Sequence, residues 1–246
     1  MLTNAPVASI NVKEGRATGV TLADGTVMDA THILSNASPS LTYLDLVGKQ
    51  HLPASVVAHF ERAWDTESAS TKVGALATSP VMLIEDAFLD VQQGVASRRP
   101  VIEMNIPTSM DDSIAPRGHH IALLFVQYTP YLPKDGPWTD AKKAAFADQC
   151  FSVIEQYAPG FKASIVGTDI LTPPDLERVF SLPRGNIFHG AMGLDQLFWL
   201  RPLGGYTDYR TPIRGLYLCS AGTHPGGGVM GACGRNAAHV VLKDSA

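Results

Sequence analysis

The sequence holds little that points to a metal, a nucleic acid or a membrane span. Only three cysteines occur in 246 residues, Cys150, Cys219 and Cys233. Their spacing matches no metal motif, so none is expected, and three thiols cannot all pair; buried thiols in a reducing compartment are the simplest reading. Charged residues make up 17% and the net charge is −4. Without a surplus of Lys and Arg to neutralise phosphates, the composition argues against nucleic acid as a partner. No stretch approaches the roughly 18 apolar residues that a membrane span needs. The opening M-L-T-N-A-P-V lacks the basic and apolar regions of a secretory signal. Internal repeats and low-complexity tracts are absent too. What remains is a 45% hydrophobic chain, long enough for a sizeable core in one or two domains.

The stretch richest in information lies near the end, from Arg214 to Val241. Leu216, Tyr217, Leu218 and Cys219 form a short apolar run that reads as a buried strand. Ser220 to Gly228 is a tight loop with Pro225 and three consecutive glycines, Gly226, Gly227 and Gly228. From Val229 onward, Met230, Cys233, Ala237, Val240 and Val241 recur at helical spacing. Strand, glycine loop and helix start would together offer unpaired N–H groups and a positive dipole end to an anion. Gly231 and Gly234 inside that helix cost about 2 kcal/mol relative to alanine. Gly228, Gly231 and Gly234 share one face, where a neighbouring strand or a flat cofactor with phosphates could approach; the preceding T-H-P-G-G-G favours the cofactor.

Earlier in the chain, regular structure begins almost at once, an abrupt start that fits a truncated or split gene. Val7 to Val12 alternates as a half-buried strand, Glu14-Gly15 turns, and Ala17 to Leu22 is a second strand. Ala23-Asp24-Gly25-Thr26 is a hairpin signal leading into Thr26–Ala30, and His32–Asn36 is a further short run. Short helices are expected around Leu41–Leu46 and Pro53–Trp64, with strand over Val73–Ile84 and helix over Ala87–Ala96. Val101–Ile106 and His119–Tyr128 read as the clearest strands of this region. Pro137–Tyr157 reads as the best helix, closed by Pro159-Gly160, and Ala163–Leu171 as another strand. A helix start follows at Thr172–Glu177, and the chain from Leu182 is loop-rich, a length that suits a functional loop.

The run G-L-Y-L-C-S-A-G-T-H-P-G-G-G-V-M-G-A-C-G-R-N-A-A resembles the C-terminal flavin motif of the phytoene desaturase and carotenoid/retinoid oxidoreductase family. Asn186–Gly190 (N-I-F-H-G), Leu194–Phe198 (L-D-Q-L-F), Arg201-Pro202, Thr172–Glu177 and the opening G-R-A-T-G-V-T-L-A-D-G support it. The likeness is strong over residues 1–37 and 170–246 and diffuse between them. It implies FAD as cofactor, with Gly222, Thr223, His224, Pro225, Gly226, Gly227, Gly228, Val229 and Met230 against it. The chemistry implied is hydride transfer from an apolar small molecule to flavin. No residue is assigned as catalytic; His224, His189 and Arg201 are the candidates, each with a structural alternative such as bracing the loop, filling the core or forming a salt bridge.

The family also implies a mixed α/β fold, part Rossmann-like. Residues 1–37 and 181–246 would be C-terminal parts of the FAD-binding domain, and 38–180 an antiparallel-sheet substrate domain. No G-x-G-x-x-G strand–turn–helix stands at the front of the chain to hold the ADP half of FAD, so an N-terminal half is the expected missing partner. A second departure is the absence of an acid in Cys219–Thr223 for the ribityl hydroxyls, leaving backbone and the Thr223 hydroxyl. Cytoplasm in a bacterium, or mitochondrial matrix in a eukaryote, would be the compartment, and an apolar substrate would favour peripheral membrane contact. The rival reading is a non-catalytic interaction fragment that has lost cofactor binding.

Overall fold

The computed structural model describes residues 1–62 and 81–246. The chain divides into two compact units, residues 1–72 with 177–246, and residues 73–176. The first unit takes in the segment that follows residue 38, which supplies core to the strands before it.

The first unit opens with an antiparallel meander, β1 (Val7–Lys13), β2 (Arg16–Leu22) and β3 (Val27–Asp29), in that order. The turns are those the sequence announces. Gly15 and Gly25 both take positive φ, and the Asp24 carboxylate accepts from the Thr26 N–H at 2.9 Å. Gly19 is needed where β2 and β3 pair, since a Cβ there would lie 2.2 Å from the Met28 carbonyl oxygen. One face of the meander buries Ile10 and Ala17 against Val47, Ile213 and Leu216.

Strand β4 (Ile33–Ser35) then pairs in parallel with β7 (Leu216–Leu218), whose three residues are all buried. Parallel neighbours require a crossover, and the intervening chain, including the whole second unit, supplies it. A π-type helix over Leu41–Gly48 and α1 (Ala54–Arg62) cover the pair. Tyr43, Val56, Phe60 and Leu218 form that core, with the Tyr43 and Phe60 rings 4.9 Å apart.

In the second unit α2 (Val81–Gln92) precedes a two-stranded antiparallel sheet of β5 (Val101–Asn105) and β6 (Leu123–Gln127). Ala87, Val91 and Tyr128 form its core. The fully buried Ser97 hydroxyl lies 2.9 Å from the carbonyls of Ala87 and Tyr128 and accepts from the Tyr128 N–H at 3.0 Å, joining helix to strand end. Buried Asp90 accepts from the Arg98 backbone and guanidinium. These bonds hold its carboxyl below the usual carboxylate range. Helix α3 (Asp140–Glu155) starts at Thr139, whose hydroxyl accepts from the Lys142 N–H. Helices α4 (Phe161–Ser164) and α5 (Pro173–Phe180) follow, and the first unit closes with α6 (Ala232–Ser245).

Mixed helix and strand with small sheets is thus the fold class, and a parallel pair leading into a C-terminal helix is the layout of part of a Rossmann-like domain. Some element boundaries differ from the sequence pattern. Residues 73–80 of the expected strand over 73–84 lie outside the described residues, and Val81–Ile84 belong to helix α2, since a short apolar run reads alike as strand or helix. Residues 163–171 form the end of α4 and irregular chain instead of a strand, among the described residues pairing with no neighbour. The strand expected from His119 begins only at Leu123, after Gly118 and two exposed histidines.

Leu218 is fully buried at the junction of β7, the π-type helix and α1. Leu218→Ala is expected to cost about 3 kcal/mol, whereas Val27→Ala, on the exposed side of β3, should stay within about 0.5 kcal/mol. Urea unfolding of both variants measures the difference.

Candidate functional site

The site is built after β7. The Cys219 N–H donates to the Ser35 carbonyl at 2.9 Å, prolonging the parallel ladder by one rung. The chain then folds back on itself. The Ser220 carbonyl accepts from the Thr223 N–H at 3.0 Å and from the Thr223 hydroxyl at 2.8 Å. The Gly226 N–H donates to the Thr223 carbonyl at 2.7 Å. From below, the Tyr209 hydroxyl donates to the His224 carbonyl at 2.6 Å and accepts from Asn236 on α6 at 2.8 Å. The Cys233 thiol faces the carbonyls of Thr223, His224 and Gly226. Gly222, Thr223 and Gly226 are buried in this turn, so the Thr223 hydroxyl is engaged locally rather than turned toward a ribityl chain.

The helix starts later than its spacing suggests. Val229 takes a φ of 55° and Gly231 a φ of 66°, and α6 begins at Ala232. Gly228, Val229 and Met230 are exposed. No side chain caps the helix, and its first intrahelical bond is from the Arg235 N–H to the Gly231 carbonyl. The amides just after Gly231 thus keep their donors, with the positive dipole end behind them. The glycines divide accordingly. A Cβ on Gly222 would strike Pro39 at 2.2 Å, and one on Gly227 would strike Phe188 at 2.6 Å. At Gly231 and Gly234 nothing lies within 4 Å. The inner glycines admit protein; the outer ones leave the backbone open. Gly226, Gly228 and Gly231 have the G-x-G-x-x-G spacing by letter, yet β7 ends at Leu218 and the helix starts only after the third glycine. This is not the strand–turn–helix that grips an ADP pyrophosphate.

Over this loop lies the irregular segment 182–201, held by Arg201. The guanidinium, 1% exposed, donates to the carbonyls of Phe188 (2.5 Å), Ala221 (2.9 and 3.2 Å) and Ala191 (3.3 Å). Burial pushes it down to about 10. It has no open face for a phosphate or a substrate anion, and its place is that of a brace. His189 takes a φ of 59°, and its Nδ1 is buried with no hydrogen-bond partner among the described residues. Burial first, and the Arg201 charge second, lower its imidazole. His224 is half-buried, its ring 6.2 Å from Phe198. Beside it Phe198 and Trp199 stack at 5.7 Å, and Leu194, Trp199, Val229 and Met230 all face outward.

No protein-family model matches the chain. It is 46% identical over 274 residues to pyridine nucleotide-disulfide oxidoreductase domain-containing protein 2 of Mus musculus, covering 99% of this chain and 47% of that one. It is 30% identical over 264 residues to the lycopene-forming phytoene desaturase of a Paracoccus species, covering 100% and 51%. The chain resembles a phytoene desaturase over about half of that protein's length. A solved oxidoreductase from Methanosarcina mazei also aligns over 97% of this chain and 48% of its own, at 16% identity and a TM-score of 0.44. The chain thus spans about half the length of the curated relatives it matches.

In a phytoene desaturase-like setting the residues present fit a flat ring with phosphates: exposed backbone from Gly228 to Gly234, an uncapped helix start, and exposed apolar side chains. Of the nine expected cofactor residues, Gly228, Val229 and Met230 are the ones that lie open, and the rest shape the turn beneath. Among the described residues there is no group of ligands for a metal ion, and no helix is long and apolar enough to cross a membrane. The sequence places Gln196 where it could line the loop but assigns it no role; it is 4% exposed with both side-chain amide atoms unpartnered. The sequence pattern did not single out Tyr209 and Asn236, the props of the loop, since isolated polar residues carry no periodic signal.

Arg201→Met should cost about 3 kcal/mol, because three buried carbonyl groups lose a charged donor; thermal unfolding and protease sensitivity within 186–201 report it. His189 gives a pH signature. A folded-state value below the usual 6.5 means that the unfolded chain takes up the proton first. Stability is therefore full above about pH 6.5 and falls as the pH drops below it. His189→Gln should flatten that fall, and the His189 ring resonance, followed by NMR, should titrate below the usual 6.5.

Proposed function

We propose that this chain is the flavin-facing and substrate-facing half of an FAD-dependent oxidoreductase, one that removes a hydride from a C–H bond of an apolar small molecule. The observation that carries this reading is the open backbone of Gly228–Gly234 at an uncapped helix start, walled by exposed apolar side chains. FAD, when bound, supplies the two-electron acceptor that no side chain can provide. The chain's own contributions are electrostatic and steric. The α6 N-terminus favours negative charge placed against it. Phe198, Val229 and Met230 keep water from the reacting face, and an apolar substrate loses nothing by lying there. His189, in the segment that Arg201 clamps, has its imidazole lowered by burial, which favours the unprotonated ring.

The reading requires a partner that carries the ADP-binding G-x-G-x-x-G unit, supplied as further polypeptide of the same enzyme. Outward-facing Leu194, Trp199, Val229 and Met230 support such docking, and an apolar substrate held in lipid supports peripheral contact with a membrane. The same outward-facing cluster is what a non-catalytic interaction module would present, so flavin is the discriminating ligand. In a fluorescence titration, this chain alone should bind FAD weakly, and affinity should rise at least about a hundredfold, about 2.7 kcal/mol, when the ADP-binding half of the mouse relative is added. Failure to bind FAD in either mixture would leave the interaction module as the function.

A further inference from the structure

Among the described residues, the buried side-chain atoms that lack a hydrogen-bond partner are the Tyr43 hydroxyl, His189 Nδ1, and Oε1 and Nε2 of Gln196. All but the first belong to the segment that Arg201 clamps onto the glycine loop. An amide buried with neither group paired keeps its full desolvation cost, and such groups in folded proteins call for an explanation. Packing alone does not supply one, since a methionine or leucine would fill the same volume without the cost.

Gln196 closes a single helical turn, Leu194–Gln196, fixed by its own N–H to the Gly193 carbonyl at 2.9 Å. Two residues on, Phe198 takes a φ of 51° and brings its ring to that of His224. Met192, four residues before Gln196, packs on Gly226, and Phe188 packs on Gly227. The turn that carries the amide is thus held against the glycine loop on both sides. A carboxamide presents one acceptor and one donor side by side. Its complement is a ligand edge with an N–H next to a carbonyl.

We infer that Gln196 is a ligand-reading residue that pairs with such a donor–acceptor edge, the N3–H and adjacent carbonyl of a flavin's pyrimidine ring. This rests on the flavin reading above and deepens it. Oε1 accepts from N3–H, and Nε2 donates to the neighbouring carbonyl oxygen. Both amide atoms are buried in this structure, so the pairing requires the Leu194–Gln196 turn to open toward the ring edge. The pair forms no bond to carbon and moves no electrons; it sets orientation, and with it which face of the ring meets the substrate.

The test is a fluorescence titration of the full 246-residue chain, with the ADP-binding half of the mouse relative present, using FAD and FAD methylated at N3. The wild-type chain should bind the methylated flavin about tenfold more weakly. Gln196→Met should lose about tenfold for FAD and bind the two flavins alike, with unfolding in the absence of flavin unchanged or shifted to higher denaturant. Equal wild-type affinity for the two flavins would overturn the role of Gln196 while leaving the flavin reading intact, and this measurement does not depend on how the variant folds. A wild-type chain that binds neither flavin would overturn the flavin reading itself.

Discussion

A guanidinium can be taken out of water only if its donors are used, and in the first unit the buried Arg201 fork does the work that strand pairing does elsewhere. Residues 182–201 contain short turns and no strand, so they have almost no backbone ladder to hold them. Arg201 replaces it with donors to Phe188, Ala191 and Ala221. The planar fork suits carbonyls that converge from different directions, which a single ammonium could not serve. Everything near the glycine loop follows from this clamp: Phe188 on Gly227, Met192 on Gly226, and Phe198 beside His224. Desolvation pushes its pKa down toward 10, and the carbonyls recover part of that cost.

The glycine loop is satisfied on one side only. Beneath it, Tyr209, Asn236 and Cys233 meet the carbonyls of Thr223, His224 and Gly226. Above it, from Gly228 to Gly234, no side chain caps the helix start and no neighbour fills the space at Gly231 or Gly234. A glycine kept for packing has a neighbour that a Cβ would strike, as Gly222 and Gly227 do. Gly231 needs its positive φ to turn the chain into α6, but Gly234 lies within the helix and has no such need. Gly234 weakens its own helix by about 1 kcal/mol and meets no neighbour, which supports the proposed approach of a ligand from outside.

Elements whose cause is local were legible in the sequence. The meander could be read from Glu14-Gly15 and Asp24-Gly25, because those turns fix the register of the strands they join. Helix α3 could be read because a Thr cap and a sixteen-residue span leave no other structure. Residues 163–171 misled because apolar residues in an irregular segment look like a strand until a partner is sought, and among the described residues there is none. The late start of α6 was hidden for the opposite reason: Val229 and Met230 continue the helical spacing, but a β-branched residue at positive φ is a tertiary outcome that no local preference announces. At the site, glycines signal themselves by composition. The braces do not, since whether Arg201 meets a phosphate or three carbonyls depends on chain about ten to twenty residues away.

The parallel pair β4–β7 is too small to stand by itself, since two short strands are not independently stable in water. Its cover is unequal. Tyr43, Val56 and Phe60 bury Leu218 on one side. At the other end of the layer, Asp244 near the end of α6 accepts from Arg210 and from the Tyr217 hydroxyl, tying helix to strand. Leu34 of β4, by contrast, remains 43% exposed. A parallel strand is normally buried on both faces, so an exposed leucine there marks where this layer is incomplete. The open backbone of Gly228–Gly234 and the exposed β4 residue therefore express one condition. The unit folds on its meander, its helices and its Arg201 clamp, while the parallel layer and the loop beyond it leave surface uncovered, the surface on which the proposed flavin reading draws.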